Sequence, residues 1–243
     1  MRMILEAARA AMRRLFTPEF RGVFFKSLGL TLLFLVLAWL ALHGVLTGFL
    51  FPWIDTFLPS LPDWTSWFGA LAGIAASLGI AVGLAFLIAP ITAIVAGLFL
   101  DDVAELVERE DYPSDPPGKE VPIVQGLLLA VKFMGVVILA NLAALLLLLV
   151  PGINIAAFFV VNGYLLGREF FEFAALRFRS EADAKALRRR HGGTVFLAGL
   201  VIAAFLAVPL LNLLTPLFAA AMMVHLHKMI SASDVSAPAT ART

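Results

Sequence analysis

The chain has no cysteine. Disulfides, thiolate nucleophiles and cysteine-held metals are therefore excluded. Charge is scarce too. Asp, Glu, Lys and Arg make up 14% of the 243 residues, against about 25% in ordinary soluble domains. A formal net charge of +1 points to no polyanionic partner, and no nucleic-acid binding is expected. Of the four histidines, His225 and His227 are two apart, on different faces of a helix, which makes a poor metal pair. No metal and no cofactor is expected. The alternating ten-residue strands of a membrane barrel are missing. The basic amino end lacks a short apolar core with a small-residue cleavage site, so no cleaved signal is expected.

What fills the chain is apolar: 61% of residues, with a mean hydropathy of +0.96. Charges are confined to blocks. In lipid every backbone polar group must be paired internally, which leaves helices once barrels are excluded. An all-α integral membrane protein follows.

Two of the apolar regions contain the same kind of break. One is Val150-Pro151-Gly152-Ile153-Asn154; the other runs Val208-Pro209-Leu210-Leu211-Asn212-Leu213-Leu214-Thr215-Pro216. Proline removes an amide hydrogen and pushes the preceding residue out of the helical region. Each apolar region therefore reads as two helices joined by a turn at membrane depth. Such a turn is tolerated only where it is packed in protein or lines a wet cavity.

In chain order, residues 1–26 hold an amphipathic helix and the start of the next. Ile4, Leu5, Ala8, Met12 and Leu15 share one face, with Arg2, Glu6, Arg9 and Arg13 on another. The pattern suits a helix lying on the bilayer surface. Thr17-Pro18-Glu19 reads as a new helix start, with Thr17 as its cap. Arg21 and Lys26 follow; headgroup anchoring and an anion site both fit them. Residues 27–50 are long enough to span the roughly 30 Å hydrocarbon core. A proline- and tryptophan-containing loop separates them from a long helix over 68–110, with Pro90 within it and a charged extension. Glu105 and Arg109 in that extension are four apart; they read either as a surface pair or as a gate at a pore mouth.

Residues 123–167 form the first broken region, with Lys132 as its one charge. Ile155 to Gly167 is only 13 residues, about 20 Å of helix, too short to span. A hairpin that enters and leaves on one side fits, and so do two short spans. Residues 168–193, beginning at Arg168, read as a basic cytoplasmic loop by the positive-inside rule. Residues 194–230 form the second hairpin, and 231–243 a disordered tail. The expected fold is two full transmembrane helices plus two partly penetrating helical hairpins, with an N-terminal amphipathic helix. One membrane domain covers 1–230, and both termini are cytoplasmic.

These residues also carry a resemblance. Val-Pro-Gly-Ile-Asn at 150–154, Val-Pro-Leu-Leu-Asn-Leu at 208–213 with Pro216, and Ala89-Pro90 closing the second span resemble the CysZ-type sulfate permeases. Those permeases belong to the wider etoposide-induced-protein-like membrane family. The resemblance runs over roughly residues 10–230. It implies a bacterial inner-membrane homo-oligomer that imports sulfate for cysteine synthesis without ATP. In such permeases an oxyanion is thought to bind near a Gly-Leu-Arg turn before the first span. Glu19-Phe20-Arg21 stands at the matching place, keeping the Arg and lacking the Gly. The Asp-Tyr-Pro that follows the first hairpin is Glu172-Phe173-Ala174 here. The small Ala-Thr pair after the last proline is missing, and Ala220-Ala221-Met222 stands near its place.

Three functions compete on this basis. A transporter or channel for sulfate or a similar oxyanion would use Arg21, Lys26, Lys132 and Arg168 as entry charge. The turns at Pro151, Asn154, Pro209, Asn212 and Pro216 would line its path. A non-transporting scaffold would use the same proline turns structurally. A membrane enzyme needs an ionisable constellation at membrane depth, and none is written in the sequence.

Overall fold

The computed structural model describes residues 1–50, 52, 56, 66–120, 153–208, 211 and 214–236. Among them are seven α-helices: α1 (Arg2–Leu15), α2 (Pro18–Val45), α3 (Ser66–Asp111), α4 (Ile153–Leu176), α5 (Glu181–Arg190), α6 (Gly192–Leu206) and α7 (Thr215–Ser236). A π-helical turn, Leu46–Leu50, extends α2. The turn residues Pro151, Pro209 and Asn212, the side chain of Asn154, and Lys132 lie outside the described residues.

Two compact units result: Met1–Phe24 with Phe99–Thr243, and Phe25–Leu98. In the second, α2 is apolar all round, and Leu32, Leu33, Phe34, Val36, Leu37 and Leu40 are exposed. An apolar surface on every side suits lipid as solvent. Residues Pro18–Phe49, which overlap the span expected at 27–50, are long and apolar enough to cross a bilayer. Within this unit, a Cβ added to Gly83 of α3 would lie 2.9 Å from Leu42 Cδ2 of α2, so the glycine lets the two helices approach closely.

The first unit is built around α7. Leu217 through Leu226 are all buried, and so is Ile230. A helix apolar on every side belongs in the middle of a bundle. Helices α1, α4 and α6 pack around it. The rings of Phe205 in α6 and Phe218 in α7 stack at 4.3 Å and 9°. At the opposite ends of the same helices, His191 Nε2 sits 3.1 Å from Asp234 Oδ1. Low number meets high number at both ends, so α6 and α7 are antiparallel and the chain turns back between 206 and 215. Pro216 stands in the first turn of α7, where its missing amide costs nothing.

Helix α4 meets α6 through glycine. A Cβ on Gly199 would fall onto the Gly163 carbonyl oxygen; one on Gly167 would lie 2.6 Å from the Val195 carbonyl oxygen; one on Gly163 would lie 2.6 Å from Leu200 Cδ2. Backbone here packs on backbone, as in small-residue helix crossings in membranes. Since 163 faces 199 and 167 faces 195, α4 is antiparallel to α6 and hence parallel to α7. Asp, Glu, Lys, Arg and His are absent from 153–167, 192–206 and 215–224. The stack therefore has an apolar end and a charged end. Its apolar part is about 22 Å long at ~1.5 Å per residue, short of the ~30 Å core.

Four expectations change. The 168–193 segment is mostly helix rather than loop: α4 runs on to Leu176, and α5 follows. Ser180 caps α5 by accepting from the Asp183 amide at 3.2 Å, acids fill its first turn and three arginines its last. That arrangement complements the helix dipole, so the charges stabilise a helix. Residues 231–236, expected in the tail, belong to α7, where Ser231 and Asp234 make side-chain contacts with Arg179 and His191; 237–243 lie outside the described residues. Pro18 opens α2 as expected, but the Thr17 hydroxyl donates back to the Arg14 carbonyl at 2.9 Å instead of capping α2. Finally, α1 does not spend its whole apolar surface on lipid: Ile4, Ala7, Ala11 and Leu15 are buried in protein.

The glycine crossing gives a signed prediction. Gly199→Ala should destabilise the detergent-solubilised protein by about 1–3 kcal/mol through overpacking. Gly193→Ala, which meets open space at the start of the same helix, should be neutral or stabilising. Thermal unfolding of the two variants side by side checks the sign difference.

Candidate anion site and the charged layer around it

At the charged end of the stack, carboxylates and cations from five segments meet. The deepest cluster joins α3 to the turn after α4. Arg177, 3% exposed, donates from Nε to Glu108 Oε1 at 2.7 Å and from Nη2 to Oε2 at 3.2 Å, and pairs also with Asp101. The Gly118 amide donates to Glu108 Oε2 at 2.9 Å, and the Lys119 amide to the Arg177 carbonyl at 2.8 Å. Burial works against the Arg177 charge, but Glu108 and Asp101 more than offset it, and its pKa is raised. A buried pair of this kind is satisfied on both sides, and breaking it leaves an uncompensated charge.

A second cluster ties α1 to α3 and α7. Arg14 pairs with Glu110 and donates from Nε to Asp111 Oδ2 at 2.8 Å. His225 Nε2 lies 3.5 Å from the same Asp111 oxygen. Tyr112 Oη stands 2.9 Å from His225 Nδ1. Burial, with help from Asp111 and Asp115, pushes the phenol up to about 12, so it stays neutral and donates to the imidazole. Lys228 pairs with Asp115 at 3.0 Å and lies 4.2 Å from the Phe178 ring centre. His227 stacks on Phe178 at 5.2 Å and accepts from Arg179 Nε at 3.4 Å. The half of α7 from His225 onward belongs to this polar layer, outside the apolar zone. There burial lowers His225 to about 4 and His227 to about 3, so both rings are neutral near pH 7.

The third cluster lies where the apolar part of α4 ends. Arg168, one of the expected entry charges, sits 3.5 Å from Glu172, and Arg188 of α5 lies 2.7 Å from the same Oε1. Two guanidiniums thus share one carboxylate. The Nε atoms of Arg168 and Arg188 are buried without a well-directed hydrogen bond. The Glu169 carboxyl lies within electrostatic reach of Arg168 and Glu172, so the cluster beside the Gly167–Val195 crossing holds two guanidiniums and two carboxyls. Guanidinium forks are well suited to oxyanions.

The other expected residues are placed separately. Arg21 and Lys26 are exposed on α2, five residues apart and so on different faces. Glu105 and Arg109 are exposed on α3, and no ion pair joins them among the described residues. Arg188 was missed because the block around it read as topology-setting charge; α5 helicity was the signal that would have found it.

Residues 7–216 match the family model described as sulfate transporter CysZ/etoposide-induced protein 2.4. The chain belongs to the CysZ/etoposide-induced-protein family. At family level these are transporter and membrane proteins, not enzymes. A search among curated proteins returned no match. The CysZ-family match takes in both proline-containing breaks and the Arg168/Glu172/Arg188 cluster.

Two outcomes follow from the charged layer. Arg177→Met should cost about 3–5 kcal/mol by stranding Glu108, whereas Arg109→Gln should stay within about 0.5 kcal/mol; denaturation midpoints in one detergent compare them. An unfolded histidine takes up its proton near pH 6.5, but His227 resists until about 3. Its burial therefore subtracts stability as pH falls below 6.5, on the order of 2 kcal/mol by pH 5. His227→Phe should flatten the loss of stability between pH 7 and pH 5 by about that amount.

Proposed function

We propose that this CysZ-family chain conducts sulfate or a similar small oxyanion across the bacterial inner membrane, as a multi-pass homo-oligomer feeding sulfur assimilation. The observation that carries the reading is the family match over 7–216, which covers nearly the whole membrane body. The topology of the helical stack supports it. Helices α4 and α7 are parallel, so their N-termini, at Ile153 and Thr215, lie at the same apolar end. Each N-terminus offers unpaired amide hydrogens and the positive end of a helix dipole. A dianion stripped of water is very costly in hydrocarbon, and such amides offset that cost.

In this mechanism the two hairpins enter the membrane from the cytoplasmic side and turn back partway. Arg21, Lys26, Lys132 and Arg168, with Arg188, attract the anion at the cytoplasmic face. In this reading the turns at Pro151 and Pro209 leave amides of neighbouring non-proline residues free, and Asn154 and Asn212 supply side-chain amide donors to the path. Arg168 and Arg188 share Glu172, which weakens their hold on an anion and permits release.

Purified protein in liposomes, loaded against a labelled-sulfate gradient, should give flux above empty liposomes. Arg168→Gln should lower that flux about tenfold, the worth of ~1.4 kcal/mol of lost attraction, with molybdate or selenate competing. Flux no higher than in empty liposomes would leave the scaffold reading in place.

A further inference from the structure

Helix α1 carries two apolar stripes, and the bundle covers only one. Ile4, Ala7, Ala11 and Leu15 face the protein and are buried. Met1, Leu5 and Met12, with Phe16 just after the helix, recur at spacings of four, seven and four, which keeps them on one face. They remain exposed, at 83%, 50%, 37% and 74%. Arg2, Arg9 and Arg13 line the edge of this second stripe and are exposed. Arg2 is paired with Glu6 at 2.9 Å, but Arg9 and Arg13 take part in no ion pair among the described residues. Arg14, on the other side, is committed to Glu110 and Asp111. The helix is therefore fixed in rotation: one apolar face locked inward by packing and Arg14, the other held outward. Phe16 leads within two residues into α2, the helix able to cross a bilayer.

We propose that this outward stripe docks on an anionic phospholipid surface, with Met1, Leu5, Met12 and Phe16 among the upper acyl chains and Arg9 and Arg13 on the headgroup phosphates. The charge argues for lipid of that sign: unpaired guanidiniums beside an apolar stripe gain by approaching phosphates. Continuity with α2 places the stripe where the chain enters the membrane. This goes beyond a helix resting on a bilayer by its main apolar face, since that face is taken up by α7. The inference rests on the chain being membrane-embedded, and it does not depend on which solute, if any, is conducted.

The lack of cysteine gives a clean test. Single variants Met12→Cys and Glu6→Cys, in full-length protein, are placed in nanodiscs of neutral phosphatidylcholine or of phosphatidylcholine with 30% phosphatidylglycerol, and in detergent. The rate of reaction with a water-soluble maleimide is measured. Met12→Cys should react at least about fivefold more slowly in the anionic discs than in neutral ones, while Glu6→Cys changes less than about twofold. Adding Arg9→Gln and Arg13→Gln should return Met12→Cys to its neutral-lipid rate. Equal rates in both lipids would overturn the proposal. So would slow reaction in detergent as well, since protein, a second copy included, would then cover the stripe. Sulfate flux is not a readout, so failure of transport and failure of lipid docking are distinguishable.

Discussion

Three glycines allow α4 and α6 to meet backbone to backbone, and much of the first unit follows from that approach. Any side chain at Gly199 would strike the Gly163 carbonyl. In lipid, helices gain little from hiding apolar surface, so close van der Waals packing has to hold them together. The crossing sets α4 antiparallel to α6, and the Phe205–Phe218 stack sets α6 antiparallel to α7. From these two contacts comes a stack whose acidic and basic residues, histidine included, all lie at one end.

The charged end has its own logic. Buried cations are costly unless paired, and most here are: Arg177 with Glu108 and Asp101, Arg14 with Glu110 and Asp111, Lys228 with Asp115. The layer joins α1, the end of α3, the turn after α4 and the end of α7 through ion pairs. The Arg168/Arg188 pair departs from this balance, since one carboxylate serves two guanidiniums.

Much of this was legible in the residues. Helix-breaking prolines marked the break between α6 and α7, and the stretch 27–50, free of Asp, Glu, Lys and Arg, marked the candidate span. The start of α2 at Pro18 was readable because proline suits a first turn. The failures share a cause. Charge density was read as loop over 168–193, although Ala-rich sequence with acids first and arginines last favours a helix. The inward face of α1 could not be told from its outward face, because both are apolar and only the tertiary partner, α7, distinguishes them. Gly163, Gly167 and Gly199 lie in three-dimensional register but 36 residues separate the first from the last (199 − 163). The pairing Arg177–Glu108 spans 69 residues, and nothing local announces it.

In the proposed reading the helical stack dips into the membrane from the charged side and turns back before crossing it. Val208, exposed at the apolar end beside the turn, is the residue to probe. A Val208→Cys variant in sealed vesicles of known orientation is treated with a membrane-impermeant maleimide from each side in turn, with Ser236→Cys as the charged-end control. The account predicts that Ser236→Cys labels from the cytoplasmic side and that Val208→Cys does not label from the outer side alone. Labelling of Val208→Cys exclusively from the outer compartment would mean that both helices cross completely, and would contradict it.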